Sequence, residues 1–296
     1  MAYFKPEGLG VALVTPFKED KSIDFGALER LIEFQIASDV DFFVVLGTTG
    51  ETPTLSRDEQ LRVCDFVRSV VAGRKPLVLG LGGNNTMAII SDLRHRDLMG
   101  YSAILSVVPA YNKPSQEGIY QHFSAIAKES PLNVLLYNVP GRTGVNMTAQ
   151  TTLRLANENP NIIGVKEASG NFVQIEEIIK NKPEHFDVIS GDDGITYALM
   201  TMGAKGVISV IGNAFPLEFG KMVRKCLAGD FKGALPLHYQ FTELFNLLFV
   251  DGNPAGVKCT LNALGMIENE LRLPLVPTRL STNEKIHAIC EKLRNA

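Results

Sequence analysis

Lys166 closes the apolar run Ile162–Lys166 (IIGVK) and is followed by Glu167, Ala168 and Ser169. An ammonium at the end of a buried strand is largely removed from water. That disfavours its charge and leaves the neutral amine, the form that attacks a carbonyl to make a Schiff base. The plainer role is a lysine paired with Glu167 or capping the mouth of a fold. Tyr137 closes a second run, Asn133–Tyr137 (NVLLY). A phenol there can pass a proton when hydrogen-bonded into a relay; otherwise it is a core tyrosine with a wet tip. GTTGE (Gly47–Glu51) sets two hydroxyls and several backbone N–H groups between glycines. Such a nest suits a carboxylate or a phosphate, although a simple strand-to-helix turn uses the same residues. Arg142, in YNVPGRTG, offers a planar fork to a second carboxylate, or lies on a surface loop. Each group is ambiguous alone, and each strengthens the others as parts of one Schiff-base site.

Metal chemistry has less support. Asp192 and Asp193 are adjacent, but the nearest histidine, His185, lies at the other end of the intervening strand, so turn and helix-cap roles are expected. The four cysteines, Cys64, Cys226, Cys259 and Cys290, form no CxxC pair. His287 and Cys290 have no second ligand pair beside them. Reduced thiols in a cytoplasmic protein are expected. GLGG at Gly80–Gly83 lacks the later glycine of a dinucleotide fingerprint and reads as a tight turn.

These residues need elements to hold them. Eight short apolar runs recur, at Leu9–Val14, Asp41–Leu46, Pro76–Leu81, Ala103–Val108, Asn133–Tyr137, Ile162–Lys166, Phe186–Ser190 and Gly206–Val210. They are continuous rather than alternating, as in parallel strands covered on both faces. Amphipathic segments lie between them, among them Ser56–Ala72, Gln116–Ser130 and Thr148–Asn159; Ser56 and Glu59 form a capping box. Eight strands alternating with helices is the count of an α/β fold of the (β/α)8 TIM barrel type, with an open doubly wound sheet as its rival. GTTGE, PAYNKP, YNVPGRTG, GVKEASG and SGDD then all fall at the C-terminal ends of strands, where barrel active sites lie. After Gly229 the alternation stops, and Phe231–Val250, Pro254–Leu264 and Ser281–Arg294 read as helices. The expected division is a barrel over 1–229 holding the site and a C-terminal helical domain over 230–296.

The chain has 296 residues, 45% hydrophobic and 21% charged, with 29 Lys and Arg against 32 Asp and Glu. That composition fits an ordinary globular protein and offers no basic excess for a nucleic-acid partner. Neither a signal peptide nor a membrane span is evident, so a cytoplasmic protein with no membrane partner is expected.

In combination and order, GTTGE, YNVPGRTG, IIGVKEASG and SGDD resemble the dihydrodipicolinate synthase branch of the pyruvate-dependent Schiff-base lyases. Sialic acid lyases and keto-deoxy-sugar aldolases belong to the same superfamily, and the likeness runs from GVALVTPF at Gly10 to LRLPLVP at Leu271. The resemblance implies that Lys166 forms an imine with pyruvate, whose enamine adds to L-aspartate 4-semialdehyde on the diaminopimelate route to lysine. Tyr137, Thr48 and Tyr111 would form the proton relay, with Tyr111 reaching a neighbouring subunit's site. Thr48 and Thr49 would hold the pyruvate carboxylate and Arg142 that of the semialdehyde. Gly191 and Ile208 would line the pyruvate side. The family is usually a homotetramer of two tight dimers and requires no metal or organic cofactor. An aldolase for a 2-keto-3-deoxy acid, such as N-acetylneuraminate or 2-keto-3-deoxygluconate, would use the same imine. Arg142 and the residues after Lys166 favour the synthase. A non-enzymatic ligand-binding barrel would be expected to lose the lysine or the tyrosines, and here they are present. Lysine-inhibited relatives use imidazole, carboxylate and phenol groups at the dimer interface. This chain has Arg57, Gln60, Ala88 and Ala110 there, with Asn84 kept, so weak or no inhibition by lysine is expected.

Overall fold

The computed structural model describes residues 4–294. Eight strands run in order around a closed parallel barrel: β1 Gly8–Ala12, β2 Phe42–Val45, β3 Leu77–Gly80, β4 Ala103–Val107, β5 Asn133–Asn138, β6 Ile162–Glu167, β7 Asp187–Ser190 and β8 Gly206–Ser209. Closure is made by β8 on β1, with Gly8 opposite Gly206 and Val11 opposite Ser209. That ladder rules out the open sheet.

Every residue of β1, β2, β6 and β8 is buried. The cause is a double cover. Ala12, Val44, Leu105, Leu135, Ile189 and Ile208 pack inside the barrel, while Val11, Phe43, Leu136 and Val207 pack outward against the helices. A strand wet on neither face has no reason to alternate, which is why its sequence reads as one apolar run. The helix at Arg57–Val71 starts at its capping box: Glu59 N donates to Ser56 Oγ at 3.2 Å and Ser56 N to Glu59 Oε2 at 2.9 Å.

Beyond the barrel helix at Pro216–Leu227 the chain is helical, at Phe231–Tyr239, Thr242–Val250, Ala255–Ala263 and Leu280–Arg294. The expected single helix over Phe231–Val250 is two. The break falls at Gln240 and Phe241, where the chain bends and fully buries Phe241 against Phe215, Phe219 and Phe245. No helix among the described residues is long and apolar enough to cross a membrane.

Candidate active site

A cavity of about 580 Å³ opens at the C-terminal ends of the strands, a size suited to a small metabolite. Thr48, Thr49, Tyr137, Arg142, Lys166 and Gly191 all line it.

Lys166 reaches this cavity because β6 is irregular. Ile163 packs in the barrel interior, and Lys166, three residues on, also opens inward. In a regular strand, residues three apart face opposite sides. The β5–β6 ladder absorbs one extra residue: Val134 pairs with Ile162, but Leu135 with Gly164. This bulge turns the lysine to the inside, and Gly164 permits it, since a Cβ there would lie 2.5 Å from the Asp187 carbonyl oxygen.

The lysine is only 6% exposed, and its Nζ sits 4.3 Å from the centroid of the Tyr137 ring, its register partner on β5. Its chain neighbour Glu167 faces the other way. There the carboxylate accepts from Asn138 Nδ2 and Ser169 N, each at 3.0 Å, and from Gln174 Nε2 at 3.4 Å. Burial raises the Glu167 pKa above the ordinary carboxylate value, against those hydrogen bonds. A Lys166–Glu167 pairing is therefore not made, and the amine is left to the cavity. Gly191 keeps it clear, because a Cβ there would lie 2.8 Å from Ala168 Cβ and 3.0 Å from Lys166 Cε.

Opposite, Thr48–Gly50 forms one 3-10 turn ended by Glu51 in the left-handed region, at φ +54°. The N–H groups that open such a turn have no partner inside it, which leaves them for an anion. The turn is held from beneath by Thr15 Oγ1, which donates to Gly50 O at 2.8 Å, and by Thr52 Oγ1, which donates to Gly47 O at 3.0 Å. Arg142 lies exposed on the short helix Pro140–Thr143, on the rim.

Ile208 stands outside the cavity wall, and Tyr111, expected in a neighbouring subunit's site, lies outside this one. Ile208 lies one layer below, packed among Ala12, Val44 and Ile189, and Val210 takes the lining place at the end of β8. Tyr111 is 91% exposed, at φ +70°, and outside the cavity wall. Among the described residues no hydrogen bond joins Tyr137, Thr48 and Tyr111 into a relay. Of the two aspartates, Asp192 serves a local turn and also lines the cavity, whereas Asp193 is buried and holds the start of the Ile211–Asn213 turn across the barrel end. Asp192 Oδ1 accepts from Gly194 N at 2.9 Å, and Asp193 Oδ2 accepts from Val210 N at 3.0 Å and Ile211 N at 2.7 Å. Burial pushes the Asp193 carboxyl up to about 6. No metal-binding cluster occurs among the described residues. Sequence reasoning missed Asn253, which lines the cavity and donates to Thr49 Oγ1 at 3.0 Å. It sits at the start of a segment that reads only as a helix.

The sequence profile of the dihydrodipicolinate synthetase family matches residues 5–293. The 4-hydroxy-tetrahydrodipicolinate synthase of Parabacteroides distasonis is 61% identical over 99% of both chains. That of Phocaeicola vulgatus is also 61% identical, over 97% of each. The crystal structure of dihydrodipicolinate synthase from Aquifex aeolicus superposes with a TM-score of 0.93 at 42% identity, covering 97% of this chain and 98% of that one.

Proposed function

This chain belongs to the dihydrodipicolinate synthetase family and has the 4-hydroxy-tetrahydrodipicolinate synthase activity of lysine biosynthesis, and we propose that it works through a Schiff base on Lys166. Its substrates are pyruvate and L-aspartate 4-semialdehyde. The observation that supports the mechanism best is the Lys166 amine, which has no ion-pair partner among the described residues and is held against the Tyr137 ring in a cavity that also contains the Thr48–Gly50 turn.

Lys166 Nζ attacks C2 of pyruvate, and loss of water gives the imine. Removal of a C3 proton gives the enamine, whose C3 forms a bond to the aldehyde carbon of the semialdehyde. The substrate's amino group then closes on C2 and expels the lysine, which restores the free amine. Tyr137 moves protons at the imine nitrogen. Thr48 and Thr49 hold the pyruvate carboxylate; Gly191 leaves the space it enters. Arg142 takes the semialdehyde carboxylate at the rim. In a homotetramer of two dimers, the exposed Tyr111 of one subunit would enter its neighbour's site and join Thr48 and Tyr137. Ile208 supports the pyruvate side from below. The buried free thiols Cys64, Cys226, Cys259 and Cys290 suit the cytoplasm.

Borohydride reduction with pyruvate, followed by peptide mapping, tests the mechanism directly. The expected result is a stable adduct on Lys166, and its absence from folded protein at saturating pyruvate would overturn the imine. Arg142→Ala should raise the KM for semialdehyde by about 10- to 100-fold, the loss of one charged hydrogen-bonding contact. Pyruvate trapping should be unchanged, and equal damage to both substrates would remove Arg142 from this role.

Lysine itself should inhibit weakly. Ala88 offers no carboxylate to its ammonium, and the nearby Asp92 is already paired with Arg57 at 2.7 Å and Arg96 at 3.4 Å. Titration of initial rates with lysine checks this, and half-inhibition below millimolar would contradict it.

A further inference from the structure

Glu51 and Lys258 are both fully buried, with Nζ and Oε1 2.5 Å apart. Taking two charges out of water costs as much as their attraction returns, so such a pair adds little stability over apolar residues of the same volume. What it does fix is geometry. Every remaining polar bond of this pair is directional. Glu51 Oε2 accepts from Arg272 N at 3.1 Å, and Lys258 Nζ donates to Glu270 O at 2.9 Å while lying 4.1 Å from the Phe17 ring centroid. Arg272 in turn holds Glu59 through its two terminal guanidinium nitrogens, at 2.8 and 2.6 Å, and keeps its carboxyl down at about 2.

The location of the pair gives that geometry a use. Glu51 is the residue that ends the Thr48–Gly50 turn, in a backbone conformation that L residues rarely adopt. Two residues earlier, Thr49 Oγ1 accepts from Asn253 Nδ2. The turn is thus gripped at two points, Thr49 and Glu51, by Asn253 and Lys258, which lie five residues apart on one C-terminal segment. The Asn253 bond also has a chemical effect. A hydroxyl that accepts from an amide keeps its own proton free to donate, and here that proton is available to an anion in the cavity.

We propose that Glu51, Lys258 and Asn253 are positioning residues for the reaction: they hold the Thr48–Gly50 turn in the shape that binds the pyruvate carboxylate, and Asn253 turns the Thr49 hydroxyl proton toward it. This rests on the reading of Thr48 and Thr49 as the pyruvate carboxylate site. A misplacement of about 1 Å in such a group costs roughly 100-fold in rate or affinity. The damage should fall on pyruvate and spare the semialdehyde, which Arg142 holds from the other side.

The test follows borohydride trapping of pyruvate against its concentration, with KM for each substrate and Tm, in Glu51→Gln, Lys258→Met, the Glu51→Gln/Lys258→Met double variant and Asn253→Ala. The single charge variants should lower Tm, because each strands a buried charge. The double variant strands none and should recover Tm toward wild type. Its half-saturating pyruvate should nevertheless stay raised by about 10- to 100-fold, with semialdehyde KM unchanged. Asn253→Ala removes no charge and should fold; it should raise half-saturating pyruvate by about 10-fold. If the charge variants fail to fold, Asn253→Ala decides alone. Folded variants that trap pyruvate with the wild-type concentration dependence would overturn the proposal, as would a double variant that regains Tm and pyruvate affinity together. Wild-type protein that traps no pyruvate at all would instead overturn the reading of Lys166, and the grip with it.

Discussion

Lys166→Ala will fold but turn over at less than about one-thousandth of the wild-type rate, since losing a covalent nucleophile commonly costs several powers of ten. The fold should not suffer. Lys166 takes no part in the Glu167 network, so its removal leaves no buried partner charge unsatisfied. The expected Tm is therefore close to wild type. Steady-state turnover, intact mass after borohydride with pyruvate, and a melting curve together check the prediction. Turnover within tenfold of wild type, or an adduct elsewhere on the chain, would show that another amine does the chemistry.

Tyr137→Phe should lower kcat by about 100- to 10,000-fold, the range of a positioned proton donor or acceptor. The substitution keeps the ring and its place beneath Lys166 Nζ, at 4.3 Å from the centroid, so packing in the barrel interior is preserved and the loss is that of a hydroxyl. Single-turnover trapping separates two cases. If Tyr137 moves protons at the imine nitrogen, adduct formation slows along with kcat. If adduct formation keeps its wild-type rate, Tyr137 acts only after the imine, and its role must move to the carbon–carbon step.

The barrel was legible because its strands are covered on both faces and the interval between them is regular. Its boundaries held to within two residues, as at Leu9–Val14 against the observed Gly8–Ala12. The helix break at Gln240 and Phe241 was not legible. The apolar stripe continues across it, and only the pocket formed by Phe215, Phe219 and Phe245 gives Phe241 a reason to turn inward. The place of Lys166 at the cavity was readable from its position at the end of an apolar run. The bulge that aims it was not, since Ile162 and Ile163 are equally apolar and the sequence does not say which one is extra. Lys258 was hidden for a related reason. It lies in a segment of helical periodicity, and nothing local marks a lysine whose partner is Glu51, at the far side of the barrel sequence.

The bond from Asn253 to Thr49 joins residues 204 positions apart, and this orders events during synthesis. At roughly 5–20 residues per second, a ribosome releases Asn253 about 10 to 40 s after Thr49. The barrel can zip shut once Gly206–Ser209 reach β1, yet the Thr48–Gly50 turn is then held by Thr15 and Thr52 and still lacks Asn253 and Lys258. A nascent chain therefore holds Lys166 in the barrel before the Thr48–Gly50 turn is firmly held, the order in which the proposed amine and its proposed seat would be completed. The full grip on that turn forms late, in molecules whose translation has passed residue 258.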